Sequence, residues 1–407
     1  MRKANYTGKL YIGLVVGLIM IVQFADSYSA ELFSKIQSFV IGDFFIKNTQ
    51  LDMEEAVSRL GYMMLPFYIV PALSPLARIF VDRYGKKRVM VVNLVFLAIG
   101  CGVCGLTDNI WVYLLGNGLV TFATSIDIQN IYIAQDLPEK RRATVRGILS
   151  GVTAVAAMLI PVCRGYFVNT DYGWRGVYGI AILVSIIALF VVIIVKENKV
   201  AWVQLQKTPE RVEKSKLNDL LIKKYLLILF FIGIATSGIT MYNEPILANL
   251  GYEENAINQV LLAQPIALLI INIIIGIFAD RYERKNVAGI SLSIAIVFLL
   301  AYVIGSKYEC ISYILGIFWG GMVGAYFSAV NILFLVLMEN AKDNNIGKIS
   351  AISAYINGAG NAVGIVICTV LVKVAGMEIV KISTAIPVLL VAIILLLKVE
   401  KFNLKES

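Results

Sequence analysis

The residues able to do chemistry in this chain are few, and most lie where charge is costly. Asp26, Glu31, Asp127, Arg164 and Glu244 fall inside or at the rims of long apolar stretches. An ionisable side chain at the centre of a bilayer costs about 2.5–3.5 kcal/mol, so each of these is a candidate for function. Histidine is absent. That excludes a Ser-His-Asp triad and His-containing zinc sites. Any proton carried through the chain must therefore ride on a carboxylate. Burial and a neighbouring guanidinium pull a carboxyl's pKa in opposite directions, and a group balanced between them can load and release a proton. Asp26 and Asp127 are the candidates; the alternative is structural pairing, or lining a wet cavity without titration. Cys101 and Cys104 form a CxxC inside an apolar stretch with no further ligands in view. They read as small buried apolar residues, and no metal or cofactor is expected.

The elements that must position these residues are membrane spans. The chain has 407 residues, 59% of them apolar and only 15% charged. Apolar stretches of transmembrane length recur twelve times. Their limits are 10–33, 57–79, 89–106, 110–134, 147–168, 174–195, 225–247, 256–279, 287–305, 310–337, 349–372 and 380–398. The first has the basic flank of a secretory leader but is too long for one and carries Gln23 and Asp26. Twelve spans leave no room for a soluble catalytic domain, so no enzyme is expected. The predicted fold is all-α, a polytopic membrane protein.

Depth follows from a rise of 1.5 Å per residue. Asp26 lies roughly 25 Å from the inner end of its span and Arg164 roughly 27 Å, one level in the outer half. The two are expected to pair, directly or through substrate. Asp127 sits lower, at roughly 12 Å. Glu31 and Glu244 lie near the outer ends, where interfacial solvation explains them as well as function does. Tyr242 and Asn243 beside Glu244, Gln264 and Asn272 in span eight, and Tyr355, Asn357 and Asn361 in span eleven are further polar candidates. Each alone reads as readily as a helix–helix hydrogen bond. Gly316, Gly320, Gly321 and Gly324 read as close packing, or else as a pliable gate.

Charge fixes orientation. With a cytoplasmic N-terminus, 28 of the 36 lysines and arginines fall in inner segments, giving that side a net +15 against −6 elsewhere. This is the positive-inside pattern, with both termini cytoplasmic. The overall +9 therefore reports topology, and nucleic acid is not an expected partner.

The chain also repeats. Asp82, Arg83, Tyr84, Gly85, Lys86, Lys87 and Arg88 follow span two; Asp280, Arg281, Tyr282, Glu283, Arg284 and Lys285 follow span eight, at an offset of 198 residues. The same offset carries the basic loop around Arg142, after span four, to the loop after span ten. A duplicated six-helix unit is a known transporter architecture. The expected domains are a bundle at 1–196, a cytoplasmic linker at 197–224 and a second bundle at 225–407.

These motifs resemble those of the major facilitator superfamily of secondary transporters, over nearly the whole chain. That family's signature between helices two and three reads G-x-L-x-D-R-x-G-R/K-R/K. Asp82, Arg83, Gly85, Lys86 and Lys87 match it, while Arg78 and Phe80 depart from it. The second copy keeps Gly276, Asp280, Arg281, Arg284 and Lys285 and has Glu283 at the later glycine. Pro138–Ala143 followed by Gly147, and Gly173-Trp174-Arg175, also look like family features. The resemblance implies twelve helices in two pseudo-symmetric six-helix bundles, with helices one, four, seven and ten lining a central cavity. Asp26, Asp127 and Glu244 then fall on three of those four helices. The Asp-Arg loops, with Arg88 and Arg142, would latch the inner side, although headgroup anchoring explains the lysines equally well.

Residues 151–165 resemble the helix-five motif of the family's proton-coupled antiporters, with Pro161 and Gly165 matching and Ile160 and Arg164 replacing glycines. Asp26-Ser27-Tyr28-Ser29 faintly resembles a motif of aromatic-acid/proton symporters. A guanidinium at Arg164 is suited to a carboxylate or phosphate. The expected function is thus proton-coupled alternating-access transport of a small organic anion. The alternatives are a drug or lipophilic-cation/proton antiporter, and a transport-fold sensor without flux. The expected partners are the lipid bilayer, a small-molecule substrate and protons. The expected state is a monomer in a bacterial inner (plasma) membrane.

Overall fold

The computed structural model describes residues 9–47, 51–67, 84–126, 128–129, 132–133, 139–195, 219–308, 311–339 and 346–399. Helices fill them. α1 runs Lys9–Ile41 and passes into a π-helical turn at Gly42–Ile46. α2 is Met53–Met64, α3 Lys86–Leu106, α4 Ile110–Thr124, α5 Glu139–Phe167 and α6 Gly176–Ile194. α7 is Asp219–Thr240, followed by a short helix at Asn243–Asn249. α8 is Glu254–Arg281, α9 Arg284–Lys307, α10 Ser312–Glu339, α11 Ile346–Ala375 and α12 Met377–Lys398. Ten stretches are long and apolar enough to cross a membrane. α4 is a shorter apolar helix, and α2 covers the start of span two. All twelve expected spans therefore meet a helix.

Local chemistry sets the boundaries. The Asp52 carboxylate accepts from the Glu55 amide at 2.7 Å and caps α2. Asn109 accepts from the Trp111 and Val112 amides and caps α4. Gly85, the glycine of the first Asp-Arg loop, has φ +87° and ψ 147° as the chain enters α3, a conformation nearly closed to other residues. α5 starts eight residues before the expected span, because Glu139–Arg146 continue the helix beyond its apolar part. The helix outruns the hydrocarbon-like sequence there.

Packing divides the chain into two compact units, Met1–Phe44 with Ile69–Arg211, and Phe45–Tyr68 with Val212–Ser407. In the first, α1 packs on α5 and α6, and α3 on α4 and α6. In the second, α8 packs on α10, α7 on α11 and α12, and α9 on α10. Small residues permit the closest of these approaches. A Cβ on Gly320 of α10 would lie 2.1 Å from the Gln264 carbonyl oxygen, and one on Gly233 of α7 2.2 Å from that of Asn357. The glycines of α10 are thus packing residues, as expected of small residues at membrane helix interfaces. α2 belongs to the second unit, through α11: the Ser58 hydroxyl donates to the Thr369 carbonyl at 3.2 Å, and Lys373 pairs with Glu55 at 3.0 Å.

Candidate functional site

In the first unit the polar residues gather on α1. Gln23, Asp26 and Ser27 share one helical face by their spacing. The Gln23 amide donates to Thr153 Oγ1 of α5 at 3.0 Å and to Ser27 Oγ at 2.9 Å; the Ser27 and Thr153 hydroxyls are 3.0 Å apart. Asp26 is buried and accepts a hydrogen bond from the side chain of Gln129, which follows α4 and is also buried. On the remaining sides Tyr28 donates to the Val177 carbonyl of α6 at 3.3 Å, and Ser29 meets Cys101 of α3. α1 is thus wired to four neighbours within five residues of Asp26. Such a cluster can hold a small polar solute, or pass a proton between Asp26 and a bound group.

Further along, Lys35 of α1 and Arg164 of α5 are two fully buried cations. Arg164 of α5 donates to the Lys35 carbonyl and lies over the Phe39 ring at 4.4 Å. The expected direct Asp26–Arg164 pair is not formed. Nine residues, about 13 Å along the axis, separate Asp26 from the carbonyl that Arg164 meets. The error traces to α5. Its true start at Glu139 sets it parallel to α1 with Gln23 level with Thr153 and Lys35 level with Arg164, 130 and 129 residues apart in sequence. Past the C-terminal end of α1, Arg175 bridges Asp43 at 3.1 Å and Asp108 at 2.9 Å, while Trp174 Nε1 donates to Asp43 at 3.3 Å. The Gly173-Trp174-Arg175 motif therefore ties three loop ends together.

In the second unit the Tyr326 hydroxyl donates to the Ile232 carbonyl at 2.8 Å and meets Thr236 of α7; Asn357 donates to the Leu229 carbonyl at 3.0 Å. Asn272 accepts from Ser328 at 2.7 Å, and Gln264 is buried. Tyr242, Asn243 and Glu244 are all buried at the end of α7. Interfacial solvation therefore does not account for Glu244. Glu31 is partly buried and is bonded by Ser34. Tyr355, by contrast, is 58% exposed and contributes nothing to these clusters.

Of the expected inner latch, Asp82 and Arg83 lie outside the described residues, as does Asp127 of the proton pathway; Arg142 is in α5, but its side chain is not among those described. Asp280 and Arg281 are exposed, with no ion pair among the described residues. Arg88 is exposed and lines an apolar cleft of about 430 Å³ with Val92, Phe96 and Phe122. The lysines of the loops have a defined place instead. Lys87 donates to the Ile193 and Val195 carbonyls at 2.9 and 2.7 Å, at the end of α6. Lys285 donates to the Val399 carbonyl at the end of α12. Lys86 is buried 4.4 Å from the Tyr132 ring centroid.

Lys35, Lys381 and Gln129 were not anticipated. Lys35 falls just past the expected end of span one, but α1 runs two turns further. Lys381 sits at the rim of span twelve, where a lysine passes for a headgroup anchor.

Long apolar helices with buried charges at their breaks and crossings mark a polytopic membrane protein. The family model of the Major Facilitator Superfamily matches residues 19–244 and 240–407, so the chain belongs to that family. It is an all-α, multi-pass integral membrane protein of two pseudo-symmetric six-helix bundles. Among solved structures it resembles the D-xylose-proton symporter, with TM-score 0.78 and 13% identity over 96% of this chain and 98% of that one. Among sequences, a cis,cis-muconate transport protein of Acinetobacter baylyi is 24% identical over 58% of this chain and 60% of its own length. The multidrug resistance protein MdtG of Dickeya zeae is 23% identical over 83% of both. The chain thus spans less than two thirds of the muconate relative.

Proposed function

We propose that this protein moves a small organic anion across the inner membrane by alternating access, coupled to protons. The bundles are residues 1–196 and 225–407, joined by the linker at 197–224, and both termini are cytoplasmic. The observation that carries the anion is the juxtaposition of two fully buried cations, Lys35 and Arg164, on adjoining turns of α1 and α5. Glu31, one turn earlier on α1, offsets part of the Lys35 charge, and a bound carboxylate would add to that compensation. The relative named for muconate, a dicarboxylate, supports the same class. Asp26 is the proton carrier in this reading, with Gln129 holding its carboxylate and Asp127 following on the same route. Gln23, Ser27 and Thr153 position the solute. In the second unit Tyr242, Asn243, Glu244, Gln264 and Asn357 are that unit's own candidate pathway residues.

The second reading is drug efflux, favoured by the longer alignment to MdtG. Proteoliposomes separate the two. Uptake of labelled mono- and dicarboxylates driven by a pH gradient, lost in Arg164→Ala and in Lys35→Gln with folding intact, is the expected result. Dye transport that ignores carboxylates and survives both substitutions would overturn the anion reading. Asp26→Asn is expected to abolish gradient-driven uptake while sparing exchange of bound substrate. Equal loss of both would remove the proton role.

A further inference from the structure

α7 stops at Thr240 inside the second unit, turns through Met241 and Tyr242, and resumes as the short helix Asn243–Asn249. Tyr242 has φ +63°, the one non-glycine residue in the left-handed region among those described. A helix end without water leaves its last carbonyls in need of donors. Each has one here. Asn243 Nδ2 donates to Ile239 and Thr240, Tyr302 to Asn243 at 2.6 Å, and the Ile246 amide to Tyr242. The carbonyls of Gly238, Ile239 and Met241 converge on a single group, the ammonium of Lys381 on α12, at 2.8, 3.0 and 3.0 Å.

An ammonium has three donors and no acceptor, so three carbonyls saturate it. Lys381 is fully buried, and no carboxylate pairs with it among the described residues. Its three donors are met by backbone carbonyls at the negative end of α7. The backbones of α7 and α12 touch at this level: a Cβ on Gly238 would lie 2.9 Å from the Ala385 nitrogen and 3.0 Å from the Lys381 carbonyl. A ring of carbonyls at an unwound helix end is how transporters of several folds hold a small coupling ion. The oxygen distances exceed the 2.3–2.6 Å of a calcium site and the shorter ones of magnesium, and suit a monovalent ion of ammonium size.

We propose that the unwound end of α7 is a monovalent-cation site and that the Lys381 ammonium is its permanent, covalently tethered occupant. The ion cannot leave, so this break in α7 is held without a soluble cation. Removing the lysine exposes the site to free cations of the same size.

The test is thermal unfolding of the purified full-length protein in ammonium, potassium or sodium chloride, with N-methylglucamine chloride as the control for ionic strength. Lys381→Ala is expected to melt well below the wild type and to recover most of that loss, saturably, in ammonium or potassium chloride. The wild type and Lys381→Met, whose side chain fills the space without charge, are expected to respond no more than in the control. An alanine variant that gains no more from ammonium or potassium than from N-methylglucamine overturns the proposal, as does a wild type that gains equally. Should the alanine variant not fold, Lys381→Gln decides. It keeps two donors without the charge and is expected to melt below the wild type. A glutamine variant as stable as the wild type would make the group a mere hydrogen-bond donor and sink the cation site.

Discussion

Lys87 and Lys285 lie 198 residues apart, the offset of the internal repeat, and each donates to the carbonyl end of the last helix of its own half. Asp43 and Met241 are also 198 apart, and there the halves diverge. α1 does not stop at Ile41; it slips into a π turn, and Asp43 of that turn meets Arg175 and Trp174. α7 stops outright, and its open carbonyls meet Lys381. One helix end is fastened through an acidic side chain, the other through its backbone, and the fastening cation comes from the 3-10 turn before α6 in the first case and from within α12 in the second. Exposure differs as well. The Asp43 and Arg175 side chains are 22% and 31% exposed, whereas Lys381 is at 0%. The repeat keeps the lysine that meets the last helix of each half, and diverges at the far end of its first helix.

The sharpest way to break that contrast is Lys381→Met. It strands carbonyls of Gly238 and Met241 that have no other donor among the described residues. At about 1–3 kcal/mol for each buried unsatisfied group, a loss of about 2–6 kcal/mol is expected for the two. Chemical unfolding in detergent measures it. A loss no larger than that of Asp43→Asn would make the two ends energetically alike. Next comes Gly85→Ala, at the first copy of the Asp-Arg loop. With φ +87° it is expected to cost about 1–3 kcal/mol. Glu283→Gly in the second copy is expected to be nearly neutral, because Glu283 has an ordinary φ of −57°. Equal costs in a thermal melt would mean the two loops share one conformation. Smaller again is the Asp43–Arg175 pair. A double-mutant cycle is expected to give a coupling near 1 kcal/mol or less, shrinking as salt rises. A coupling that ignores salt would place the pair in a drier setting than its exposure indicates.

How much of this was legible from sequence depends on which physical signal carried it. Twelve apolar runs and the charge asymmetry announce the helices, because a bilayer imposes length and hydrophobicity on every span. The glycines of α10 announce packing for the same reason. Depth was harder. An apolar run marks the hydrocarbon-like part of a helix, not its end. α5 begins at Glu139 and α1 ends at Ile41, both well outside their runs. That hid Lys35 and misaligned Arg164 with Asp26. Lys381 was hidden differently. Its role depends on a break in α7, 140 residues earlier in the chain, and no local pattern near residue 381 encodes where that break falls.

Lys87→Met and Lys285→Met carry the smallest effect and bear most directly on the repeated feature. Both lysines lie in the first turns of α3 and α9, in basic segments that the positive-inside rule already explains, so capping and headgroup anchoring make competing claims on them. A cation at a helix C-terminus is worth about 0.3–1 kcal/mol, and both sites are partly open to solvent. Each substitution is therefore expected to lower the melting point slightly, and the two by similar amounts. The lipid decides between the claims. Anchoring draws on anionic headgroups and fades in nanodiscs of zwitterionic lipid, so the substitutions would then become silent. Capping draws on the Ile193, Val195 and Val399 carbonyls, which are present whatever the lipid. A loss that persists in zwitterionic nanodiscs, and is equal for Lys87 and Lys285, assigns the repeated lysines to the helix ends. A loss seen only with anionic lipid returns them to the membrane surface.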